Sequence, residues 1–266
     1  MSIHPTAVVD SSAELHSSVE VGPYAVIEAG VRIGADTKVA AHAVVSGPTT
    51  IGERNFIGSF AVVGGAPQDL SYKNEPTELV IGNDNQIREF ASIHRGTTHG
   101  HSKTVIGNNN LFMAYTHIAH DCRIGNNVIM ANVATLAGHV EVGDRASIGG
   151  LVAIHQFCRI GAYSYIGGVS GIGLDVPPYV IIAGTRNQTR ISGINKVGLK
   201  RNGFDKETIK KLDTAFRIIF RTPSLLMKDA IEVAKNEFPE CPEVQTLVQF
   251  FLDSKRGVFK QVEEED

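Results

Sequence analysis

The chain has 266 residues, a mass of 28.6 kDa and a formal net charge of −3, enough for one large domain or for one large and one small. Trp is absent and aromatic residues are only 7 %, so the core must be built from small and β-branched side chains. No basic leader precedes an apolar run, and no stretch reaches the roughly 18 apolar residues of a membrane span. Three widely spaced cysteines, Cys122, Cys158 and Cys241, argue for a reducing cytoplasm and against a disulfide scaffold or a cysteine zinc cluster.

From the N-terminus, an aliphatic residue recurs at every sixth position: Ile3, Val9, Leu15 and Val21 through to Val63, then Ile81, Ile87 and Ile93, then Ile106, Phe112 and Ile118 through to Ile172. Gly often follows directly, as in Val21-Gly22, Ile33-Gly34 and Ile160-Gly161. This period fits neither a helix nor an ordinary strand and marks a repeat. The physical reading is a triangular prism in which each hexapeptide is a short strand plus a corner. Coils of 18 residues stack at about 4.7–4.9 Å with the aliphatic side chains inward. The Gly and Asn residues are expected to supply the corner conformation. The fold class is therefore an all-β parallel β-helix over residues 1–185. Polar loops at 64–80 and 94–105 interrupt the repeat, and such loops on a rigid scaffold are frequent binding elements.

After Asp175-Val-Pro-Pro178 the pattern ends, and residues 186–266 read as a small helical domain. Asp205 is placed to cap a helix running to Arg221, with Ile209, Leu212, Ile219 and Phe220 on its apolar side. Pro223–Phe238 and Pro242–Lys255 read as helices with Pro near the first turn, and Gly257 as a C-cap. Gln261–Asp266 reads as a frayed tail. Arg186–Lys228 holds 11 Lys and Arg against three Asp and Glu, which suggests an acidic partner. Nucleic acid is disfavoured by the lack of a recognised binding motif and the scarcity of aromatics.

The 18-residue coil also places the polar residues. His120, Gly138 and Gln156 form one column, and Asp121, His139 and Phe157 the column beside it. His117 lies at the preceding corner, and His94 and His155 each follow an aliphatic anchor. By spacing alone this cluster admits a metal site, hydrogen-bonded surface histidines, or a proton-transfer device in which His120 is a base and Asp121 fixes its tautomer. For the two to meet, a corner must turn them to the same side.

Several stretches resemble one family from end to end: Pro67-Gln-Asp-Leu70, Ile93-His-Arg-Gly-Thr97, His117-Ile-Ala-His-Asp-Cys122, Leu136-Ala-Gly-His-Val140, His155-Gln-Phe157, Asp175-Val-Pro-Pro-Tyr179 and Gly198-Leu-Lys-Arg201. The chain is similar to the UDP-N-acetylglucosamine O-acyltransferases, which perform the first step of lipid A synthesis. The resemblance implies a left-handed coil, although the general rule for parallel crossovers favours the right hand. It implies His120 as general base, Asp121 as its orienting residue and the Gly138 N–H as oxyanion donor, with no metal. It also implies substrate contacts at Gln68, Asp69, His94, His117, His139, His155, Gln156, Asn195 and Arg201, and an acyl-chain ruler at Gly168. The implied donor is a (3R)-3-hydroxyacyl group on the 4′-phosphopantetheine of acyl carrier protein, with no bound cofactor. The acceptor is UDP-N-acetylglucosamine or its 3-amino analogue, because Ser71 and Val197 stand where many members have Lys and Glu. The segment Gly184–Asn195 is also two residues longer than usual. A cytoplasmic homotrimer with sites in the clefts between subunits is expected. A non-catalytic carrier-binding scaffold is the rival from another class.

Overall fold

A computed structural model describes residues 2–185 and 188–262 of the protein. The repeat forms a left-handed parallel β-helix whose three faces are sheets of 11, nine and eight strands. Most hexapeptides give a strand of two to four residues ending in the inward aliphatic side chain, such as Glu20–Val21, Val26–Ile27 and Val31–Ile33. Ile27, Ile57, Ile87, Phe112, Met130 and Ile148 are buried along the axis. Burying a side chain of that size contributes about 1.5–3 kcal/mol, so the column of anchors is what holds successive coils together.

The loops lengthen two coils, and apart from an irregularity between Val63 and Gly65, where the first loop leaves, the register is kept. Phe56 pairs with Gln86 and Ile57 with Ile87, then Ile87 pairs with Phe112, and from there the pairing returns to the ordinary coil, Phe112 with Met130. The irregular segments run from residue 66 to 77 and from 95 to 102, between the strands Val62–Gly65, Glu78–Ile81, Ser92–His94 and Lys103–Ile106. Both leave the prism at the same edge. Arg95 pins them there, donating to the carbonyls of Gly47 and Gly64 at 2.7 Å and to Tyr72 Oη at 3.2 Å.

The corners meet the sequence expectation only in part, at Asn109, Asn127 and Gly30. The left-handed position is taken mostly by side chains, among them Tyr24, His42, Phe60, Phe90, Tyr115, Val133, Leu151 and Val169, all with φ of 57–66°. Roughly 1–2 kcal/mol opposes each such residue. A bond between coils offsets it, as where Leu151 N donates to Asn132 O and Phe157 N to Gly138 O. Stacking adds to this along one edge, where Tyr24, His42, Phe60, Phe90 and Tyr115 lie ring on ring with centroids 4.7–5.1 Å apart.

The glycine after the aliphatic residue has a different purpose. A Cβ on Gly34 would stand 2.8 Å from the Gly52 carbonyl carbon and oxygen in the next coil, so the coils stack closely only where it is missing. Gly34→Ala is expected to lose about 1–3 kcal/mol of stability, read as a drop in the urea midpoint. An unchanged midpoint would refute this role.

Past Ile172, the strand Val180–Ala183 continues the largest sheet and pairs antiparallel with Arg190–Ile194. Four helices follow: α1 (Lys196–Arg201), α2 (Lys206–Phe220), α3 (Met227–Glu237) and α4 (Pro242–Asp253). Asp205 caps α2 by accepting from Thr208 N at 2.8 Å, and Pro242 begins α4. The helix expected from Pro223 starts later, at Met227. Leu225 N instead bonds Thr222 O in a turn that carries the chain past the proline. Likewise α4 stops at Asp253, because Ser254 is extended and gives its hydroxyl to Asp175 at 2.7 Å. The short helix α1 had no sequence signal of its own. The chain end then returns as a strap to the last coil, where Gly257 O accepts from Asp175 N and Asp175 O from Phe259 N. Positions 263–266 of the expected frayed tail lie outside the described residues, as does Arg186 at the start of the basic stretch.

Candidate active site

The edge that releases both loops also carries the two polar columns. His117 pairs with Thr135 and Thr135 with Ala153, so His120, Gly138 and Gln156 occupy equivalent places in successive coils. Asp121, His139 and Phe157 all take the left-handed corner conformation, with φ of 59–64°. That turn brings two consecutive side chains to one side: His120 Nδ1 lies 2.9 Å from Asp121 Oδ2.

Asp121 is buried at 1 % exposure, and loop 95–102 wraps it with donors. Thr97 N is 3.0 Å and its hydroxyl 2.6 Å from Oδ2, while His101 N is 2.8 Å from Oδ1. Burial by itself would raise the pKa of this carboxyl. The hydrogen bonds from His120, Thr97 and His101 outweigh burial and hold it well below the usual carboxylate range. An ionised carboxylate only accepts, so Nδ1 of His120 carries a proton and Nε2 is the nitrogen left to face the cleft. There it lies 4.0 Å from Asp69 Oδ2.

Gly138 touches the other side of that imidazole. A Cβ there would stand 2.5 Å from His120 Cε1 and 2.7 Å from Nε2. Its carbonyl accepts from Phe157 N, while its N–H has no protein acceptor among the described residues. His139 meets His120 edge-on at 5.1 Å and stacks on Phe157 at 4.4 Å. Ligand atoms of His120, Asp121 and His139 lie within 4.8 Å of one another.

The remaining candidates spread outward from this centre. Asp69 accepts from Ser71 N and Oγ, and those bonds lower its pKa. Ser71 Oγ also lies 2.7 Å from His99 Nε2, which ties the two loops together. Gln68 and Gln156 are exposed. His117 Nδ1 bonds Ser92 Oγ at 2.7 Å, and His94 meets the His117 ring edge-on at 4.9 Å. Asn195 stands apart as the cap of α1, accepting from Gly198 N and donating to Tyr163 O. Arg201, in the last turn of α1, is exposed, as is Gly168. Thr97, His99 and His101 were missed in the sequence because inserted loops fall outside the coil arithmetic; only their place in the second loop hinted at them.

Burial lowers the pKa of His94 to about 4, helped by His117 and His120, and burial is also the main cause of lowered values at His117 and His139. These imidazoles are therefore neutral near pH 7. His94 takes its proton more readily when unfolded, near the ordinary 6.5. Stability is therefore expected to fall as pH drops from about 6.5 to about 4, by up to about 3 kcal/mol, and no further from this group below that. Urea unfolding at pH 7 and pH 4.5 checks this, with His94→Asn expected to flatten the dependence. Equal slopes in both proteins would remove His94 as the cause.

Known proteins share the fold and much of the sequence. Residues 175–259 match the family profile for domain 2 of UDP-N-acetylglucosamine O-acyltransferase, and 12–47, 30–65 and 103–138 match the bacterial transferase hexapeptide. The acyl-[acyl-carrier-protein]–UDP-N-acetylglucosamine O-acyltransferase of Trichlorobacter lovleyi is 56 % identical over 259 residues, covering 97 % of this chain and 99 % of that protein. The chain belongs to the UDP-N-acetylglucosamine O-acyltransferase family.

Other members agree along their whole length. The Syntrophobacter fumaroxidans protein of the same name is 50 % identical over 98 % of this chain and 100 % of its own. The solved Moraxella catarrhalis UDP-N-acetylglucosamine O-acyltransferase superposes with a TM-score of 0.93 at 43 % identity, covering 97 % of this chain and 99 % of that one. As a member of this family the protein is an acyltransferase of the hexapeptide-repeat superfamily. Among the described residues no helix is long and apolar enough to cross a membrane.

Proposed function

We propose that the protein transfers a (3R)-3-hydroxyacyl group from acyl carrier protein to the 3-hydroxyl of UDP-N-acetylglucosamine, the first step of lipid A synthesis, in the cytoplasm. The observation that carries this reading is the His120–Asp121 pair packed against Gly138, whose N–H has no acceptor among the described residues. Nε2 of His120 takes the proton of the sugar hydroxyl as that oxygen attacks the thioester carbonyl. The tetrahedral oxyanion accepts from Gly138 N–H. Collapse breaks the carbon–sulfur bond, and the protonated His120 returns the proton to the departing thiolate, leaving an ester and a free phosphopantetheine thiol.

Transfer is direct, with no acyl-enzyme. Burial pushes the Cys122 thiol up to about 12 and Cys158 to about 11, so neither supplies a thiolate near pH 7. Asp121 serves as an orienting carboxylate and not as a metal ligand, because its lone pairs are already occupied by loop donors and His120. Gln68 and Asp69 hold the sugar, and His94, His117, His139, His155 and Gln156 line or support the substrate path. Arg201 meets the diphosphate with paired donors. Asn195, with both ends of its amide engaged, contributes by fixing α1 and hence Arg201.

The prism over residues 1–185 holds the chemistry, and the basic helical part over 186–266 receives the acidic carrier. The working unit is a homotrimer. The exposed edge of Tyr24, Phe60, Phe90 and Tyr115, continued by Val133, Leu151 and Val169, supplies the apolar surface for packing prisms together. Sedimentation should return the mass of three chains of 28.6 kDa.

The deciding experiment offers purified protein a series of 3-hydroxyacyl-carrier proteins with UDP-N-acetylglucosamine and, in parallel, its 3-amino analogue, and reads product masses. The ester product is expected. Amide alone would move the assignment to the amino sugar, a reading kept open by Ser71 and Val197 in place of the Lys and Glu of many members. No product from folded trimer would return the scaffold reading. At Gly168 a Cβ meets only the Gly150 backbone, O at 3.3 Å and N at 3.8 Å, so Gly168→Met should fold and shift the products to shorter chains.

A further inference from the structure

The strap after α4 reaches a histidine of the substrate path. Arg256 Nη2 lies 2.8 Å from His155 Nδ1, and Arg256 Nε donates to Gly173 O at 2.8 Å. The strap is firmly seated. Asp175, fully buried, accepts from Arg159 N at 2.8 Å and from Ser254 Oγ at 2.7 Å, and its backbone bonds Gly257 and Phe259. Arg256 is thus delivered to one place on the last coils by contacts at residues on both sides of it.

A guanidinium has donors and no acceptor. A histidine nitrogen 2.8 Å from it must therefore be the unprotonated one. The carbonyl of Gln156 also lies near Nδ1, at 3.2 Å, and it would require a proton on that same nitrogen. The shorter, charge-assisted contact prevails. With Nδ1 accepting, the ring proton sits on Nε2, which has no partner among the described residues of this exposed side chain. His155 stands in the coil sequence above Ala137 and Ala119, beside Gln156 and Phe157. Two coil spacings, about 9–10 Å, separate it from the level of His120, within the length of a substrate held at that base.

We propose that Arg256 is a positioning residue that locks His155 in the Nε2–H tautomer, so that His155 donates a hydrogen bond to an oxygen of a bound substrate. The inference rests on the reading of His155 as part of the substrate path. It assigns to the far end of the chain the choice of which ring nitrogen donates. Without Arg256 the Gln156 carbonyl would compete for the Nδ1 proton, and His155 would present an acceptor where a donor is needed.

The test pairs a spectroscopic with a kinetic readout. Nitrogen chemical shifts of ¹⁵N-histidine-labelled protein, with His155 assigned by His155→Gln, should report the Nε2–H tautomer in the wild type and a mixture or the opposite tautomer in Arg256→Ala. Arg256→Ala should lower kcat/KM about 10-fold, and Arg256→Gln, which keeps an amide donor, should recover most of that loss. His155→Gln carries its own donor near the Nε2 position regardless of Arg256, so adding Arg256→Ala to it should cost less than threefold. An unchanged tautomer in Arg256→Ala would overturn the proposal. So would an equal loss from Arg256→Ala in the two backgrounds, which would reduce Arg256 to a strut for the strap through Gly173. The tautomer reading holds or fails even if the wild type transfers no acyl group, an outcome that would count against the proposed function instead.

Discussion

His120→Ala is expected to lower kcat by about 10²–10⁴-fold, the range for losing a positioned general base, with the KM for the nucleotide sugar changing much less. Other histidines near the centre cannot take over. His139 meets the His120 ring edge-on and offers Asp121 only a 3.9 Å contact. His94 is buried with its Nδ1 unpartnered and its pKa depressed to about 4, too weak a base to replace His120 near pH 7. The variant should lose about 1–3 kcal/mol, because buried Asp121 loses its bond to His120, but it should stay folded, since the aliphatic ladder is untouched and Thr97 and His101 still donate to Asp121. Single-turnover assays with pre-loaded acyl carrier protein would separate chemistry from product release. A variant within tenfold of wild type would remove His120 as the base.

Gly138→Ala is the second change with a large effect, and it acts through one added methyl group. The Cβ would stand 2.5 Å from His120 Cε1. Either the imidazole swings off Asp121 or the coil shifts and carries the Gly138 N–H away from the developing oxyanion. The expected cost is about 10²–10³-fold in kcat, comparable to deleting one oxyanion donor. Gly150→Ala is the control, since its Cβ meets only Asn132 O, at 3.3 Å. That variant should remain active, while Gly138→Ala remains folded and nearly inactive. Equal activities would mean that the contact with His120 carries no catalytic weight.

Much of the site is legible in the sequence because a solenoid turns sequence separation into spatial adjacency. The strict coil placed Gly138 over His120 and His139 over Asp121, and the strand pairing follows that register. The same logic failed where the chain leaves the coil. Thr97 and His101 lie in an inserted loop, and no periodicity says that three of their polar groups close on Asp121. Arg256 is likewise 101 residues from His155 and reaches it only because the strap folds back. The corners misled in another way. Glycine and asparagine were read as the source of unusual backbone angles; Asn109, Asn127 and Gly30 do adopt them, but so do Tyr24, Phe60 and Leu151, while Gly34 is needed for the closeness of the next coil. Bonds between neighbouring coils outweigh a local preference that a single residue would otherwise obey.

The amino-acid sequence by itself determined the repeat, its inward aliphatic column, the helical C-terminal part and the columns in which His120, Asp121 and Gly138 stand. These depend on period and residue type, which a linear chain records directly. Only the tertiary structure decided which side the adjacent His120 and Asp121 side chains share, that loop 95–102 keeps Asp121 ionised, and that the strap brings Arg256 to His155. Those features depend on a left-handed corner and on returning segments, whose directions are set by what they pack against and not by the residues within them.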